Sequence, residues 1–330
     1  MDILTPQEWD RFLQDFPHAH ILQTGAWGNL KSTFGWEAVH VSNSYAGAQI
    51  LFRKLPLGYH IAYLPKGPVG SQWQSLWSGI DMLCRKKRTI FLKVEPDAWE
   101  NDLDTLSDQF TGFRHSFQTI QPHQTIIISL EGDEKSWLER MKQKTRYNIR
   151  LAERKGIVVK PSTEIDLFHK MAVITGKRDG FNVHSVAYYQ KMFDLFDSTE
   201  SCVLLMAYYQ ARPIAGIIVF RQGKRSWYLH GASTNEERNR MPTYLLQWEA
   251  MRWAASHQCT EYDLWGIPEV DESQLEEDFT HHSDGLWGVY RFKRGFGGTV
   301  MRSAGSWDRI YIPALYKLYQ IRTKARSLAG

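Results

Sequence analysis

The stretch AGAQILFRK at residues 46–54 has a second version in AGIIVFRQ at residues 215–222. Both versions open with Ala-Gly, continue through β-rich apolar residues and reach Phe-Arg near their end. Turn residues separate each version from further apolar runs on both sides, which predicts that each lies inside a three-strand meander. The predicted strands are 36–42, 47–53 and 58–64 in the first meander, and 202–209, 213–220 and 226–231 in the second.

The similarity continues on both sides of the meanders. A helical stretch and then a strand ending in proline follow each one, from Trp77 to Pro96 and from Trp248 to Pro268, two spacings that differ by one residue. A pair of predicted helices precedes each meander, at 6–16 and 26–34 and again at 164–178 and 185–197. This shared order predicts an α+β fold, a tandem pair of domains with mainly antiparallel central sheets, with chance similarity of two α+β halves as the alternative.

Size and charge agree with two domains. The chain has 330 residues, 43% of them hydrophobic, and a net charge of only +4. The charges are segregated: residues 140–155 hold seven Lys or Arg against one acid, residues 261–290 hold nine acids and no Lys or Arg, and residues 291–330 hold nine Lys or Arg against Asp308. Such segregation indicates an anionic ligand or surface that meets selected faces of the protein.

The cysteines and the N-terminus bear on the cellular compartment. Cys84, Cys202 and Cys259 lie far apart without a CxxC pair, which argues against a zinc site or a disulfide framework and is typical of a reducing cytosol. The N-terminus lacks the pattern of a signal peptide, and no apolar run reaches the length of a membrane span. We expect a soluble cytoplasmic protein without metal or cofactor, whose contact with any membrane is peripheral.

Familiar catalytic motifs are missing from the sequence. It contains no GxSxG, HExxH, Walker A or strand-linked GxGxxG motif. The tandem His281 and His282 have no spaced partner ligands and are interpreted as surface residues. Ser233, within HGAS, is interpreted as a turn residue after a strand rather than as a nucleophile.

The densest unusual stretch is LWGVYRFKRGFGG at residues 286–298. Trp287, Val289 and Arg291 alternate with Gly288, Tyr290 and Phe292 as on a strand, and Lys293 and Arg294 follow before a glycine-rich turn. One interpretation is an aromatic strand that ends in a solvated basic turn. The other is a cation held against an aromatic wall, where a low dielectric strengthens its effect on a developing negative charge.

Three further stretches contain candidate binding residues. Lys31 lies one turn after Trp27 on a predicted helix, and YLPKGPVG at 63–70 is a loop suited to binding a ligand through its backbone. TGKRDGFNVHSVAYYQKM at 175–192 places Arg178 at a helix end and two tyrosines on the next helix. The structural alternatives are a tight connection for the loop, and a helix C-cap followed by core aromatics for the third stretch.

A row of cations follows one face of a predicted helix around KTRYNIRLAERKG at residues 144–156. Lys142, Arg146, Arg150 and Arg154 recur every fourth residue. The row is suited to the phosphates of a nucleic acid. Alternatively, its arginines pair with the acids of residues 261–278.

Taken together, these stretches resemble the FemABX family of peptidoglycan-bridge aminoacyl transferases over nearly the whole chain. The resemblance is carried by MKQKTRYNIRLAERKG, TGKRDGF, YLPKGPVG, YLHGAS, and YRFKRGFGG followed by GSWDRIYIPALYKLY. It implies two GNAT-like domains, the first completed by the C-terminal segment: 1–138 plus 305–330, and 139–304. No heptad stretch is present, so the chain is similar to the compact form without a coiled-coil arm.

The resemblance also implies an activity. The family moves an amino acid from the 3′ ester of an aminoacyl-tRNA to an amine of a peptidoglycan precursor, either UDP-MurNAc-pentapeptide or lipid II. An activated ester attacked directly by an amine needs no acyl-enzyme, which agrees with the missing nucleophile motifs. The chemistry requires two anionic substrates held together and a stabilised oxyanion.

By resemblance, Phe292 and Lys293 match the family's pair at the acyl-transfer site, with Lys293 stabilising the oxyanion or a terminal phosphate. Lys31 matches a lysine that holds the precursor's diphosphate, and Arg178 is its predicted partner. The full predicted substrate-binding set is Lys31, Arg178, Tyr63, Lys66, Gly67, Tyr188 and Tyr290; the predicted tRNA-binding set is Lys142, Arg146, Arg150 and Arg154. The rival functions are a coenzyme A-dependent N-acyltransferase on the same fold and a non-catalytic RNA-binding protein.

Overall fold

A computed structural model describes residues 1–282 and 285–327, the last four of these by backbone alone. In chain order its strands are β1 Asp2–Leu4, β2 Glu37–Ser42, β3 Ala46–Lys54, β4 His60–Pro65, β5 Val69–Gly70, β6 Thr89–Glu95, β7 Arg114–His115, β8 Gln124–Ser129, β9 Val158–Ser162, β10 Cys202–Tyr209, β11 Arg212–Gln222, β12 Arg225–Ser233, β13 Glu261–Gly266, β14 Thr299–Arg302 and β15 Trp307–Ile310. Its α-helices are α1 Pro6–Phe12, α2 Gly25–Thr33, α3 Gln74–Lys86, α4 Leu103–Leu106, α5 Glu134–Arg140, α6 Gln143–Arg154, α7 Ile165–Asp179, α8 Val186–Asp197, α9 Pro242–Ser256, α10 Glu272–Asp278, α11 Leu286–Lys293 and α12 Pro313–Ser327. None of the described helices combines the length and apolar composition needed to cross a bilayer.

The chain divides into two compact units, Met1–His123 with Ser303–Gly330, and Gln124–Arg302. The sequence placed the first boundary near residue 138, which assigned β8 and α5 to the first domain. In the structure β8 pairs with β13 and β14 instead, and its Ile126 and Ile128 are buried in the core of the second unit. The boundary therefore lies ahead of β8.

The first unit is built on a mixed sheet in the order β1-β2-β3-β4-β6-β15-β7, with β5 paired to β3. The meander β2–β3–β4 is antiparallel, and α3 then carries the chain to β6, which lies parallel to β4. Side chains from the sheet and from α3 share one core that includes Ile50, Phe52, Leu64, Trp77 and Val94.

The second unit repeats this plan in the order β14-β8-β13-β12-β11-β10-β9. Its antiparallel meander β10–β11–β12 is followed by α9 and by β13, which pairs in parallel with β12. Each predicted meander strand matches an observed strand to within two residues at either end. The predicted tandem pair of α+β units with mainly antiparallel sheets is therefore confirmed.

The chain passes from one sheet to the other twice, between β7 and β8 and between β14 and β15. β8 follows β7 in sequence but pairs beside β13, and β15 follows β14 but pairs beside β6. In the first unit a buried ion pair holds the returning strand, because Lys93 on β6 lies 3.0 Å from the Oδ1 atom of Asp308 on β15. The Tyr316 hydroxyl of α12 donates to the other Asp308 oxygen at 2.7 Å. The first sheet therefore depends on the C-terminal segment.

The prediction of a strand within residues 286–298 is wrong. Leu286–Lys293 is helix α11, which continues into a single 3₁₀ turn at Arg294–Phe296. The residues buried in this stretch include Tyr290, Lys293 and Phe296, which recur every third position as on one face of a helix. Aromatic side chains on the other faces of the helix produced the misleading alternation in the sequence.

Candidate functional site

The parallel strands of the second unit part where the candidate site is built. β12 and β13 pair only from Arg225↔Glu261 to Trp227↔Asp263. β12 continues to Ser233, whereas β13 carries an irregularity at Trp265, whose φ of 63° is left-handed. A residue other than glycine adopts this conformation only when its surroundings enforce it. The bend leaves the Trp265 and Gly266 carbonyl groups outside the β12–β13 ladder.

The Lys293 side chain donates hydrogen bonds to these two carbonyl groups at the point where the β12–β13 ladder has ended. Lys293 is the last residue of α11 and only 4% exposed, and its Nζ atom donates to the carbonyl oxygens of Trp265 at 3.1 Å and Gly266 at 2.7 Å. Burial lowers the pKa of Lys293 to about 7, against an opposing effect of Asp263. An ammonium group has three N–H bonds, so one remains to donate to a reacting oxygen.

Asp263 supports this arrangement from the interior of β13. Its Oδ1 atom accepts a hydrogen bond from the Trp265 backbone N–H at 2.7 Å and another from the Thr125 hydroxyl. The carboxylate thus stabilises the left-handed bend that turns two carbonyl groups toward Lys293. Asp263 was not predicted from the sequence. The available signal was an acid between the apolar residues of EYDLWG, because a carboxylate is rarely buried in a strand unless it has a partner.

The Tyr228 ring lies near the Lys293 ammonium, and further aromatic rings pack around the neighbouring Phe292. The Phe292 ring meets Tyr244 edge-on at 4.9 Å between centroids and Phe296 at 5.2 Å. The Nζ atom of Lys293 lies 5.7 Å from the Tyr228 ring centroid, and burial raises the pKa of Tyr228 to about 12. For Lys293 the alternative of a solvated basic turn is wrong, since the side chain is buried.

Tyr290, a predicted substrate-binding residue, has a protein partner in this structure. Its hydroxyl donates to Glu276 of α10 at 2.7 Å, and Arg294 donates to the same carboxylate. The Arg294 hydrogen bond holds the pKa of Glu276 below its ordinary value. These contacts join α11 to α10 and position the helix that carries Lys293.

Arg178 lies near the end of β12 that extends beyond its pairing with β13, and Tyr188 lies on the neighbouring helix α8. Arg178 donates to Asp179, to the Ser233 hydroxyl at 3.4 Å and to the Asn235 side chain at 3.2 Å. Ser233 is the last residue of β12 rather than the predicted turn residue after the strand, and its hydroxyl accepts from Arg178. Tyr188 on α8 is buried and stacks on His184 at 4.0 Å.

A second imidazole belongs to the same cluster. His230 on β12 meets the Tyr189 ring edge-on at 5.2 Å. The sequence analysis missed both His184 and His230, because a lone histidine in a turn or a strand carries no spacing signal. Strand β12 therefore connects the Lys293 centre, through Tyr228, with the Arg178 cluster, through His230 and Ser233.

The predicted row of cations runs from Lys142, the N-cap residue of α6, along the helix itself, and its four members are not equivalent. Lys142, Arg150 and Arg154 are exposed, whereas Arg146 is half-buried and donates to the backbone carbonyls of Leu138 and Met141. Arg146 therefore caps the C-terminal end of α5, where the last carbonyl groups have no intrahelical partner.

The alternative partners predicted for this row were the acids of residues 261–278. Within the described part of the chain, no ion pair joins Arg146, Arg150 or Arg154 to that segment; Glu276 pairs with Arg294 instead. The N-terminal end of α6 packs on the glycine-rich turn, where the Lys142 N–H donates to the Gly295 carbonyl at 2.9 Å. A Cβ atom at Gly295 would lie 2.1 Å from the Thr145 hydroxyl oxygen, so this contact requires glycine.

Tyr63, Lys66 and Gly67 lie together in the first unit, at the end of β4. The Tyr63 hydroxyl donates at 2.5 Å to Glu95, the last residue of β6, and Gln121 donates to the Tyr63 oxygen at 3.0 Å. Lys66 is buried with its ammonium 5.9 Å from the Trp99 ring centroid, and it lines a small cleft. The other residues that line the cleft are Glu95, Pro96, Thr119, Gln121, Pro122, Ser303 and Gly305. Glu95 and Gln121 are further residues that the sequence analysis missed.

Lys31 is in the first unit, on α2, as predicted. Its Nζ atom lies 4.7 Å from the Trp27 ring centroid, and burial lowers its pKa to about 8. Lys31 thus belongs to the first unit with Tyr63, Lys66 and Gly67, whereas Arg178 and the Lys293 centre belong to the second.

The segment that enters α9 bears on the coenzyme A alternative. Acyltransferases of that kind hold the pyrophosphate on a glycine-rich turn before a helix. Here residues 234–242, TNEERNRMP, contain no glycine, and the helix is entered through Met241 with a left-handed φ of 57°. The segment lacks the features of a coenzyme A turn.

Comparisons with known proteins find relatives that match this chain over most of its length. The lipid II:glycine glycyltransferases of Staphylococcus saprophyticus and of Staphylococcus aureus strain COL are each 24% identical to this chain, over 96% of it and 94% of their own length. Among solved structures, FemX superposes with a TM-score of 0.83 at 23% identity, over 96% of this chain and 99% of its own. L-PGS from Bacillus licheniformis has a TM-score of 0.59 at 13% identity, over 94% and 93%.

The two superpositions show a shared fold, and the family assignment comes from the sequence. The family described as FemAB matches residues 4–212 and 204–324 of this chain. These two ranges include the candidate residues of both units. The chain therefore belongs to the FemAB family.

Proposed function

We propose that this FemAB-family enzyme transfers an amino acid from the 3′ ester of an aminoacyl-tRNA to an amine on the stem peptide of a peptidoglycan precursor. Relatives that act on lipid II support a lipid-linked precursor over a nucleotide-linked one. The observation that carries the proposal is the buried Lys293 ammonium, which uses two of its protons on backbone carbonyls and lies 5.7 Å from the Tyr228 ring centroid. The enzyme works in the cytoplasm and meets its acceptor peripherally at a membrane.

The proposed reaction is direct aminolysis of the ester. The acceptor nitrogen forms a bond to the ester carbonyl carbon, whose oxygen becomes negative. The bond from that carbon to the ribose 3′ oxygen then breaks, the nitrogen loses a proton and the 3′ oxygen gains one. The remaining N–H of Lys293 stabilises the oxyanion in a site of low dielectric, where such a donor is most effective.

The cysteines support a mechanism without a covalent intermediate. Burial raises the pKa of Cys84 to about 12, and it also raises the pKa of Cys202 and Cys259. A thiol must ionise to act as a nucleophile. All three are therefore poor candidates for an acyl carrier at neutral pH.

We assign Lys31 to the diphosphate of the precursor. Arg178, oriented by Ser233 and Asn235, is assigned to an anionic group of a substrate. A phosphate beside Lys31 would raise its lowered pKa again, because an opposite charge favours the ammonium form. Tyr188 contributes a buried ring that stacks on His184.

The cleft at the end of β4 binds part of the stem peptide. The buried Lys66 ammonium lines the cleft and supplies a positive charge for a carboxylate, and Gly67 follows it in a tight turn packed against the Gln23 side chain. A Cβ atom at Gly67 would lie 2.8 Å from the Gln23 side chain, so the turn has no space for a larger residue.

We assign tRNA binding to the exposed cations of α6, Lys142, Arg150 and Arg154. Each phosphate contact contributes to the salt dependence of binding. The double variant Arg150→Ala with Arg154→Ala should weaken binding of a tRNA acceptor minihelix and reduce the slope of log affinity against log salt by about 2. The matched control, Lys170→Ala with Lys177→Ala, removes two exposed charges from α7 of the same unit. Equal slopes for the two double variants would contradict the assignment.

One experiment tests the proposed function directly. The protein is incubated with mixed aminoacyl-tRNAs and with lipid II in detergent or UDP-MurNAc-pentapeptide, and the precursor is weighed by mass spectrometry. We expect a mass increase of one aminoacyl residue that depends on intact aminoacyl-tRNA. No increase on either precursor, or an acetyl increase when acetyl coenzyme A replaces tRNA, would overturn the proposal.

A further inference from the structure

Helix α12 has an apolar surface on two sides. Its inner side packs Leu315, Tyr316 and Tyr319 against Ile90 and Phe91 of β6. On its outer side, Leu318 is 51% exposed and Ile321 is 58% exposed, in line with the exposed Ala314. The inner side accounts for the docking of the helix, and it leaves the outer apolar residues without a function in the fold.

The loop between β3 and β4 adds a third exposed apolar side chain. Leu57 at its tip is 84% exposed and has a left-handed φ of 62°. Leu55 and Tyr59, on either side of it, pack against the same Ile90, Phe91 and Tyr316 cluster as the inner side of α12. The loop and α12 are thus neighbours over one small core.

Positive charges accompany these three residues. Lys317 and Arg322 are exposed on α12, Lys54 precedes the loop, and the Arg88 guanidinium lies 4.5 Å from the Tyr59 ring centroid. The segments that form this surface, 51–60, 84–93 and 311–323, contain no acidic residue.

We propose that this surface, Leu57, Leu318 and Ile321 with Lys54, Arg88, Lys317 and Arg322, docks on an anionic lipid bilayer. Single apolar side chains that stand out among cations suit the boundary between anionic headgroups and acyl chains. A stable protein interface needs a broader apolar area, and a second copy of this chain would present the same positive charge. The inference rests on the proposed function for its purpose, which is to bring the active site to a lipid-linked acceptor.

Vesicle binding tests the surface without any transfer reaction. The full chain is sedimented with vesicles of phosphatidylcholine alone or mixed with phosphatidylglycerol. We expect binding to the mixed vesicles that weakens with salt, and a loss of about tenfold or more in partition for Leu57→Ser with Leu318→Ser and Ile321→Ser. The variant Lys317→Gln with Arg322→Gln should lose about tenfold and show less salt dependence.

The control replaces exposed apolar residues of the same unit outside this surface, Ile3→Ser with Met82→Ser. Control and wild type should bind alike. No binding of the wild type to anionic vesicles, or equal loss in the control and the triple variant, would overturn the inference.

Transfer assays separate this inference from the proposed function. The triple serine variant should transfer normally to lipid II in detergent and lose transfer only when lipid II is embedded in anionic vesicles. A wild type that fails to transfer even in detergent would contradict the proposed function, whereas vesicle binding would still decide the surface.

Discussion

The two units contain the same parallel strand pair and finish it differently. In the first unit β4 and β6 pair from His60↔Thr89 to Pro65↔Glu95, along the whole length of β4. In the second unit β12 and β13 stop pairing after Trp227↔Asp263, and β13 bends at Trp265. At the ends of these pairs lie side chains of opposite charge, Glu95 in the first unit and Lys293 in the second.

The difference follows from the hydrogen-bonding groups that lie at the end of each parallel strand pair. The Glu95 carboxylate accepts hydrogen bonds from the Tyr63 hydroxyl and from the Ile120 and Gln121 N–H groups, so a negative end group meets donors. Where β12 and β13 separate in the second unit, the Trp265 and Gly266 carbonyl groups accept hydrogen bonds from the Lys293 ammonium. Breaking the ladder therefore creates the place for a buried cation, and a duplicated framework provides two different sites.

The largest expected effect comes from removing that cation. Lys293→Met should lower the transfer rate about 10³-fold, because a donor to the oxyanion is lost from a site of low dielectric. The matched control is Arg291→Met, which removes an exposed cation from the same helix and should retain the rate. Single-turnover transfer with charged tRNA measures both, and thermal unfolding confirms that both fold. Full turnover by Lys293→Met would remove Lys293 from the mechanism.

The second effect concerns the strand that completes the first sheet. Asp308→Ala should destabilise the protein by about 3 kcal/mol, since it removes the carboxylate paired with the buried Lys93 ammonium and leaves it the neutral acceptors Ser116 and Gln118. Asp81→Ala breaks the more exposed pair with Arg309 and should cost about 1 kcal/mol. Urea denaturation of the full chain compares the two variants. Equal midpoints would show that the buried pair does not hold β15 in place.

The third effect is a pH dependence specific to the second unit. The pKa of Lys293 lies near 7, so its charged fraction falls about tenfold for each pH unit above that value, whereas an arginine stays charged. The rate of the wild type divided by that of Lys293→Arg should therefore decrease as pH rises above about 7. Taking the ratio removes the titration of the acceptor amine, which is common to both enzymes. A ratio that rises with pH would indicate that neutral Lys293 acts as a base instead.

The smallest expected effect tests whether Thr125 supports the backbone bend of β13 at Trp265. Thr125→Val removes one hydrogen-bond donor to the buried Asp263 and should destabilise the second unit by about 1.5 kcal/mol. Thr299→Val, on the exposed side of neighbouring β14, is the control and should change stability by no more than about 0.5 kcal/mol. Urea denaturation measures both, and identical stabilities would show that Thr125 does not support the bend.

Much of the framework could be predicted from the sequence, because strands and helices repeat apolar residues at short, regular intervals. The meanders around residues 46–54 and 215–222 were predictable in this way. The boundary near residue 138 was not, since the apolar strand β8 could pair with either sheet and only the tertiary structure selects its partner. Helix α11 was misread because its aromatic residues occupy more than one face.

The candidate site residues also separate into features that the sequence predicts and features that the tertiary structure sets. The sequence alone determined the duplicated pattern, the types of residue at its ends and the positions of the cations on α2, α6 and α11. Only the tertiary structure decided that Lys293 is buried and donates to two backbone carbonyl groups, that Arg146 caps α5, and that Asp263 stabilises the bend at Trp265. The physical reason is that periodic patterns act between near neighbours in the chain, whereas burial and hydrogen-bond partners are set by segments far apart in sequence.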